Sequence, residues 1–463
     1  MSTRRSRLAV IAVGASAVLA LTACSPDASE PDTGEQSDIV FWTPQVTPER
    51  IAAQEEIAAA FEAETGIGVE VVPLGGADQN QALVTGAASG DVPDVILHAP
   101  DQTAAWNEQG LLDTEVAQRI VDELDPSTFN ERALDLVTLD GEVGAVPSDG
   151  WVHLIAYRAD LFEAAGVEVP GSLEELAEAA TTLAGSGVTG IALGTQPGTP
   201  SSTEAVESTF LTTGCQLVED GTVTIDSDEC TNAAESFNVL AQSSLAGEFD
   251  VPSARAAYLA GNAAMLLFST HILDEVAGLD PDNPVTCAEC AADPTFLAAN
   301  TQFITILDES NPAQYGSTLN YGVPVGAHAE EAQMFIEYLL NDGYIDTLAM
   351  ATEGRLPLRL GTPDEPTTFI DEWGTLPFGV DRASGQSIAD VYGADIVEAL
   401  SGGMDAISRW AFGTPDAPLE GAVFSQNVLS QNLDQLYAGT PAADVTATMA
   451  EQVSALQAEL GLQ

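Results

Sequence analysis

Four histidines, five cysteines and 71 carboxylates are the groups in this 463-residue chain that could do chemistry, and all 12 of its cationic residues are arginine. The absence of lysine removes a Walker-type phosphate loop, a kinase ATP lysine, a Schiff-base lysine and a Ser-x-x-Lys acyl-transfer site, each of which needs that amine. His98, His153, His271 and His328 show no metal-ligand spacing, and no G-x-S-x-G elbow is present. Paired carboxylates could run glycoside hydrolysis, but with 71 acids such pairs arise by chance and carry no weight. The expectation is a protein without catalytic residues, cofactor or metal. A formal charge of −59 also excludes nucleic acid as a partner, since counterion-releasing binding needs clustered cations.

The cysteines point to an oxidising compartment. Cys215, Cys230, Cys287 and Cys290 form an even set that suggests two disulfides with three possible connectivities. Cys215 and Cys230 flank a hairpin-like stretch turning at Glu219-Asp220-Gly221. Cys287-Ala-Glu-Cys290 lies in a Pro- and Asp-rich turn region with no second CxxC, which favours a short structural disulfide over a redox or zinc site.

Cys24 has a different setting. Arg4, Arg5 and Arg7 precede an apolar run from Leu8 to Ala20, and Leu21-Thr22-Ala23-Cys24 then resembles a bacterial lipobox. The expectation is a signal peptide over 1–23, lipidation of Cys24, and a flexible Pro-, Ser- and acid-rich tether over 24–37. The folded part would start near Asp38, on the outer face of a cytoplasmic membrane. Cleavage would remove three arginines and no acid, leaving a formal charge of −62. Self-repulsion of that order is relieved by salt, which suggests a saline medium.

The elements that must position any site alternate in period. Ile39–Trp42 reads as a strand, Thr47-Pro48-Glu49 opens a helix, Val69–Leu74 is a strand, Gln79–Ala88 a helix and Asp94–His98 a strand. This β-α-β-α-β run predicts a parallel sheet with a ligand crevice at its strand ends. Further on, strands are expected at Trp151–Tyr157 and Ala263–Phe268, with helices at Ala159–Ala165, after Ser172, at Ala329–Leu340 and over the tail from Ser425 to Leu462.

These segments, in this order, resemble the extracytoplasmic solute-binding lipoproteins of ABC importers, of the maltose-binding-protein type known as family 1. The resemblance is carried by IVFWTP, FEAETGIGVEV, GDVPDV and AVPSDGWVHLIAYRADLFEAAGVEVPGSLEEL. It continues in YLAGNAAMLLFS, EEAQMFIEYLLNDGYIDTLAMATEGRLPLR and LSQNLDQLYAGTPAADV. Asn262, Leu173 and the Ser269-Thr270-His271 segment depart from the family pattern of Lys, Trp and an aromatic residue.

The resemblance implies an α/β, two-lobed, Venus-flytrap fold of type II. Lobe 1 would comprise 38–147 plus 270–325, and lobe 2 would comprise 148–269 plus 326–463. Hinge crossings fall near Val146-Pro147, Phe268–Thr270 and Gly322–Val325. A monomer would close on a sugar or oligosaccharide and pass it to a permease driven by a separate ATPase. Polyamines, peptides and glycerol phosphodiesters are the alternative ligands.

Sugars present apolar ring faces girdled by hydroxyls, so their sites combine aromatic platforms with amides and carboxylates. Trp42 at the end of the first strand and Trp151 just past the first hinge are the candidate platforms; Trp106, Trp373 and Trp410 rank below them as core residues. The polar candidates are Asn80, Gln81, Asp101, Asp149, Thr270, His271, Tyr321 and Arg355.

Overall fold

The structure is a computed structural model that describes residues 37–462 apart from 140, 245–248, 381–384 and 413. The basic segment, Cys24 and all but the last residue of the tether lie outside the described residues. Those that are described fall in one compact unit, and no helix among them is long and apolar enough to cross a membrane.

Strand β1 (Ile39–Thr43) is followed by a helix over Pro48–Thr65 that begins on proline, whose missing N–H would have no intrahelical partner at that position. Gly66, at φ 83°, ends this helix in the left-handed region. Strand β2 (Val69–Pro73), a helix over Gly76–Ser89 and strand β3 (Val95–His98) complete the run. Both β2 and β3 pair with β1 in parallel, as the alternating periods predict.

After a small hairpin of β4 (Thr138–Leu139) and β5 (Glu142–Val143), strand β6 (Val146–Arg158) runs for 13 residues. Strands β7 (Val218–Glu219) and β8 (Thr222–Val223) form a second hairpin, in which Asp220 at φ 49° and Gly221 at φ 76° supply the two left-handed residues of a tight turn. Strands β9 (Met265–Ser269), β10 (Thr301–Ile304), β11 (Gln314–Gly322), β12 (Leu356–Pro357) and β13 (Ile407–Ser408) follow.

Nine of these strands form one sheet, with β6 as its spine. Its first part pairs with β11 and with β12 at Asp149 and Gly150, and its last part pairs with β9 and β10. Through β11, the spine reaches β3 and the parallel strands. One strand therefore belongs to two halves of the sheet, and its side-chain period of two serves two cores. Val152, Leu154 and Ala156 join the larger core, which also holds the parallel strands; Ile155, with Trp151 and Tyr157 partly buried beside it, joins the core of the second half.

Candidate functional site

One cavity is walled by both halves and a smaller one lies within the second half. The larger, about 500 Å³, has one wall from Asp101 and Glu108 on the helix Pro100–Glu108, from Asn80 on the helix Gly76–Ser89 and from Glu142. Its opposite wall comes from Thr414, Pro415 and the start of the helix Ala417–Ser425. The smaller, about 90 Å³, is lined by Trp151 and His153 on β6, Ser201 and Glu204 at the start of the helix Pro200–Leu211, and Phe268 and Ser269 on β9. A broader groove of about 840 Å³ lies between the helices Leu173–Ala184 and Asp228–Ser243; threonines and acids line it, and it offers no aromatic ring.

Aromatic and charged groups are locked together at the second-half face. Trp151 lies 5.7 Å from His153 and 5.9 Å from Tyr315, ring centre to ring centre, and His153 lies 4.6 Å from Tyr315. Arg409 stacks over Tyr315 at 4.7 Å and over Phe424 at 4.8 Å. Its Nε donates to Glu207 Oε1 at 2.8 Å and its Nη2 to Glu420 Oε1 at 2.6 Å, so the guanidinium is held between two carboxyl groups. Burial raises the Glu420 carboxyl to about 8 and outweighs Arg409, with Glu207 and Asp101 adding to the rise.

Glu204 is different. Burial and Glu207 push its carboxyl up while Arg409 pulls it down, and its oxygens make no hydrogen bond within the described protein. His153 is 7% exposed; burial lowers its imidazole to about 3, and Nδ1 has no protein partner. The cavity thus offers an aromatic edge, an unpaired carboxylate and an imidazole that stays neutral at ordinary pH. That set can stack on a sugar ring and exchange hydrogen bonds with its hydroxyls.

The sequence-derived candidates fall into three groups. Trp151 lines the small cavity, with His271 6.5 Å away. His271 packs so closely on Gly354 that a Cβ there would stand 2.0 Å from its Nε2, and burial lowers its imidazole to about 4. Asn80 and Asp101 line the large cavity, where Asn80 Oδ1 accepts from Trp106 Nε1 at 2.8 Å. Asp149, Arg355 and Thr270 lie buried where the strands cross. Arg355 Nη1 donates to Asp149 Oδ2 at 3.0 Å, with both groups at most 2% exposed, and Arg355 Nη2 and Thr270 Oγ1 have no hydrogen-bond partner among the described residues.

The remaining candidates are not brought to either cavity. Tyr321 is a core residue 6.2 Å from Phe41. Gln81 is exposed and bonds Thr85. Trp42 packs, half-buried, on the cluster of Ile96, Trp106 and Leu112. Trp106, Trp373 and Trp410 are buried.

Sequence reading missed Glu204, His153 as a cavity residue, and Arg409. Only His153 carried a signal, because it sits two residues beyond Trp151 and so shares its strand face. The four cysteines pair as Cys215–Cys230 and Cys287–Cys290, with Cα separations of 4.7 and 5.0 Å. No group of metal-ligating side chains converges among the described residues.

Comparison with known proteins places this geometry. Residues 46–345 match the family model of the bacterial extracellular solute-binding proteins. The chain belongs to that family. A putative ABC transporter periplasmic-binding protein of Escherichia coli K12, YcjN, is 28% identical over 331 residues, which are 69% of this chain and 73% of YcjN. A lactose-binding protein of Rhizobium radiobacter is 33% identical over 175 residues, 37% of this chain and 39% of that protein.

Among solved structures, the GacH receptor of Streptomyces glaucescens, studied unliganded and with acarbose, superposes with a TM-score of 0.63 at 19% identity; the match covers 91% of this chain and 98% of that one. A sugar transporter protein of Arthrobacter chlorophenolicus with bound laminaribiose gives 0.62 at 18% identity, covering 90% and 99%. The fold is accordingly the two-lobed α/β fold of periplasmic sugar-binding proteins. As a family member the protein is an extracytoplasmic solute-binding protein.

Proposed function

We propose that this protein is the substrate-binding component of an ABC importer and captures a neutral sugar or oligosaccharide between its lobes. The observation that carries the reading is the cavity where Trp151 stands beside the unpaired carboxylate of Glu204 and the neutral imidazole of His153. An aromatic face fits a sugar ring, and the two polar groups accept and share hydroxyl protons; an anionic ligand would meet Glu204 with the neighbouring arginine already spent on Glu207 and Glu420. The ligands named for the relatives, lactose and laminaribiose among them, support the same class.

In this reading Trp151, Glu204, His153 and His271 hold the ligand from the second lobe, and Asn80 and Asp101 meet it from the first. Asp149, Arg355 and Thr270 fix the crossing strands. The helix Ala329–Leu340 goes with the first lobe, because it packs on the helices Pro48–Thr65 and Thr114–Leu124. This moves the third-crossing boundary beyond the one at 325. The protein has no catalytic activity of its own. It hangs as a monomer from the outer face of the membrane by a lipid on Cys24 and hands its ligand to a permease with a separate ATPase.

Binding stabilises the form that binds, so the test is a thermal-shift screen of the mature domain with neutral mono- and oligosaccharides in about 1 M salt. At least one sugar raises the melting temperature if the reading holds. A shift with polyamines, peptides or phosphodiesters and none with sugars refutes it.

A further inference from the structure

The lobes meet at a place where both carry negative charge. From the first lobe, the helix Pro100–Glu108 brings Asp101, exposed and without a hydrogen bond among the described residues; from the second, the helix Ala417–Ser425 brings Glu420. These two helices pack on each other beside the 500 Å³ cavity. The helices Pro200–Leu211, with Glu204 and Glu207, and Ala442–Leu460, with Asp444, Glu451 and Glu459, also pack on Ala417–Ser425, and the charges that act most strongly on Glu420 are three. Arg409 and Glu207 are on its own lobe with Tyr315 beyond them, and Asp101 comes from the other lobe.

Arg409 carries one positive charge against two carboxyl groups, so the group on the second lobe holds no spare positive charge to meet Asp101. The first-lobe rim adds Glu108 and Glu142 to the same cavity. Arg119, the one exposed arginine among the described residues, donates to Gln333 on the first lobe, and Arg132, on a helix packed against Pro100–Glu108, donates its Nε to the Ile407 carbonyl.

We propose that Asp101 acts as an electrostatic brake on lobe closure, pressed against the Glu207–Arg409–Glu420 group when the lobes meet, so that closure, and with it ligand capture, is favoured by salt and by proton binding. The inference rests on the two-lobed reading, since it needs lobes that open and close. The protonation side follows from linkage. With the lobes together the Glu420 carboxyl is raised to about 8; parting them removes Asp101 and lowers it. Closed molecules therefore bind more protons than open ones as pH falls through about 8, and acidification favours closure. Salt acts in the same direction, because the Debye length shrinks from roughly 10 Å at 0.1 M to roughly 3 Å at 1 M.

The test needs no ligand. Small-angle scattering of the mature domain gives the radius of gyration in low and high salt, at about pH 9 and about pH 6. The wild type is expected to be more open in low salt at high pH and to compact when either is changed. Asp101→Asn is expected to be compact already in low salt, with the ratio of closed to open molecules raised about fivefold, the effect of roughly 1 kcal/mol of relieved repulsion. Glu459→Gln removes the same charge from the exposed surface of the last helix and serves as the control for overall repulsion.

A wild type whose radius ignores salt and pH overturns the proposal. So does an Asp101→Asn protein that moves no further than Glu459→Gln. A failed sugar screen with Asp101→Asn still compacting would sink the ligand assignment and leave the brake intact, so the two failures are distinguishable.

Discussion

The two lobes, as assigned in the proposed reading, carry unlike faces. On the second lobe, Trp151, His153, Tyr315, Arg409 and Phe424 are packed in sequence, and Arg409 pairs with Glu207 and Glu420 while Glu204 is left without a hydrogen bond among the described residues. On the first lobe, Asp101, Glu108 and Glu142 stand exposed around the larger cavity. In the proposed reading a locked aromatic floor would supply shape and affinity, because its rotamers are fixed before a ligand arrives. A solvated acidic rim supplies little binding energy and instead sets the charge felt as the lobes meet.

Substitutions can break this contrast. Arg409→Met is expected to have the largest effect: it leaves the buried carboxylates Glu207 and Glu420 without their cation and should cost about 3–5 kcal/mol of stability, read by denaturant unfolding. Trp151→Ala is expected to weaken sugar binding by about 2 kcal/mol, roughly 30-fold by calorimetry, while the unliganded melting temperature changes little. A large loss of apo stability with unchanged affinity would make Trp151 a core residue. Glu204→Gln should cost about 1.5 kcal/mol of affinity through lost charge-assisted hydrogen bonds. On the rim, Glu108→Gln should change stability and affinity by less than about 0.5 kcal/mol; an effect as large as that of Glu204→Gln would erase the distinction between the faces.

Acid sharpens the contrast further. Burial holds the folded His153 imidazole near 3, whereas the unfolded chain binds a proton near 6.5. The unfolded state therefore holds more protons between those values, and this residue's contribution to stability falls as pH drops from about 6.5 toward 3. The loss is at most about 1.4 kcal/mol per pH unit. His153→Gln should lessen the wild-type decline in unfolding midpoint over that window, and an unaltered decline would place the cause elsewhere.

Much of the frame was legible in the chain. The parallel run β1–β3 follows from alternating periods, from Pro48 at a helix start and from Gly66 at its end. The length of β6 was not legible. Pro147, Ser148, Asp149 and Gly150 are poor strand formers, and they are held extended because β11 pairs on one side and β12 on the other. Trp151 could be singled out because it follows the hinge.

Glu204 and Arg409 could not be singled out, for each sits among many acids or on an unremarkable segment. The sequence holds no sign that a contact across 202 positions ties Arg409 to Glu207. Tyr321 illustrates the reverse: a strand position near the cleft looked open, yet packing against Phe41 keeps the ring in the core.

The most direct measurement is calorimetric titration of the mature wild type and Trp151→Ala with the sugar that gives the largest thermal shift. The account predicts saturable binding by the wild type and an affinity about 30-fold lower in the variant, with both proteins equally folded. Equal affinity in the two would contradict it, because the ligand would then lie away from the Trp151–Glu204 cavity.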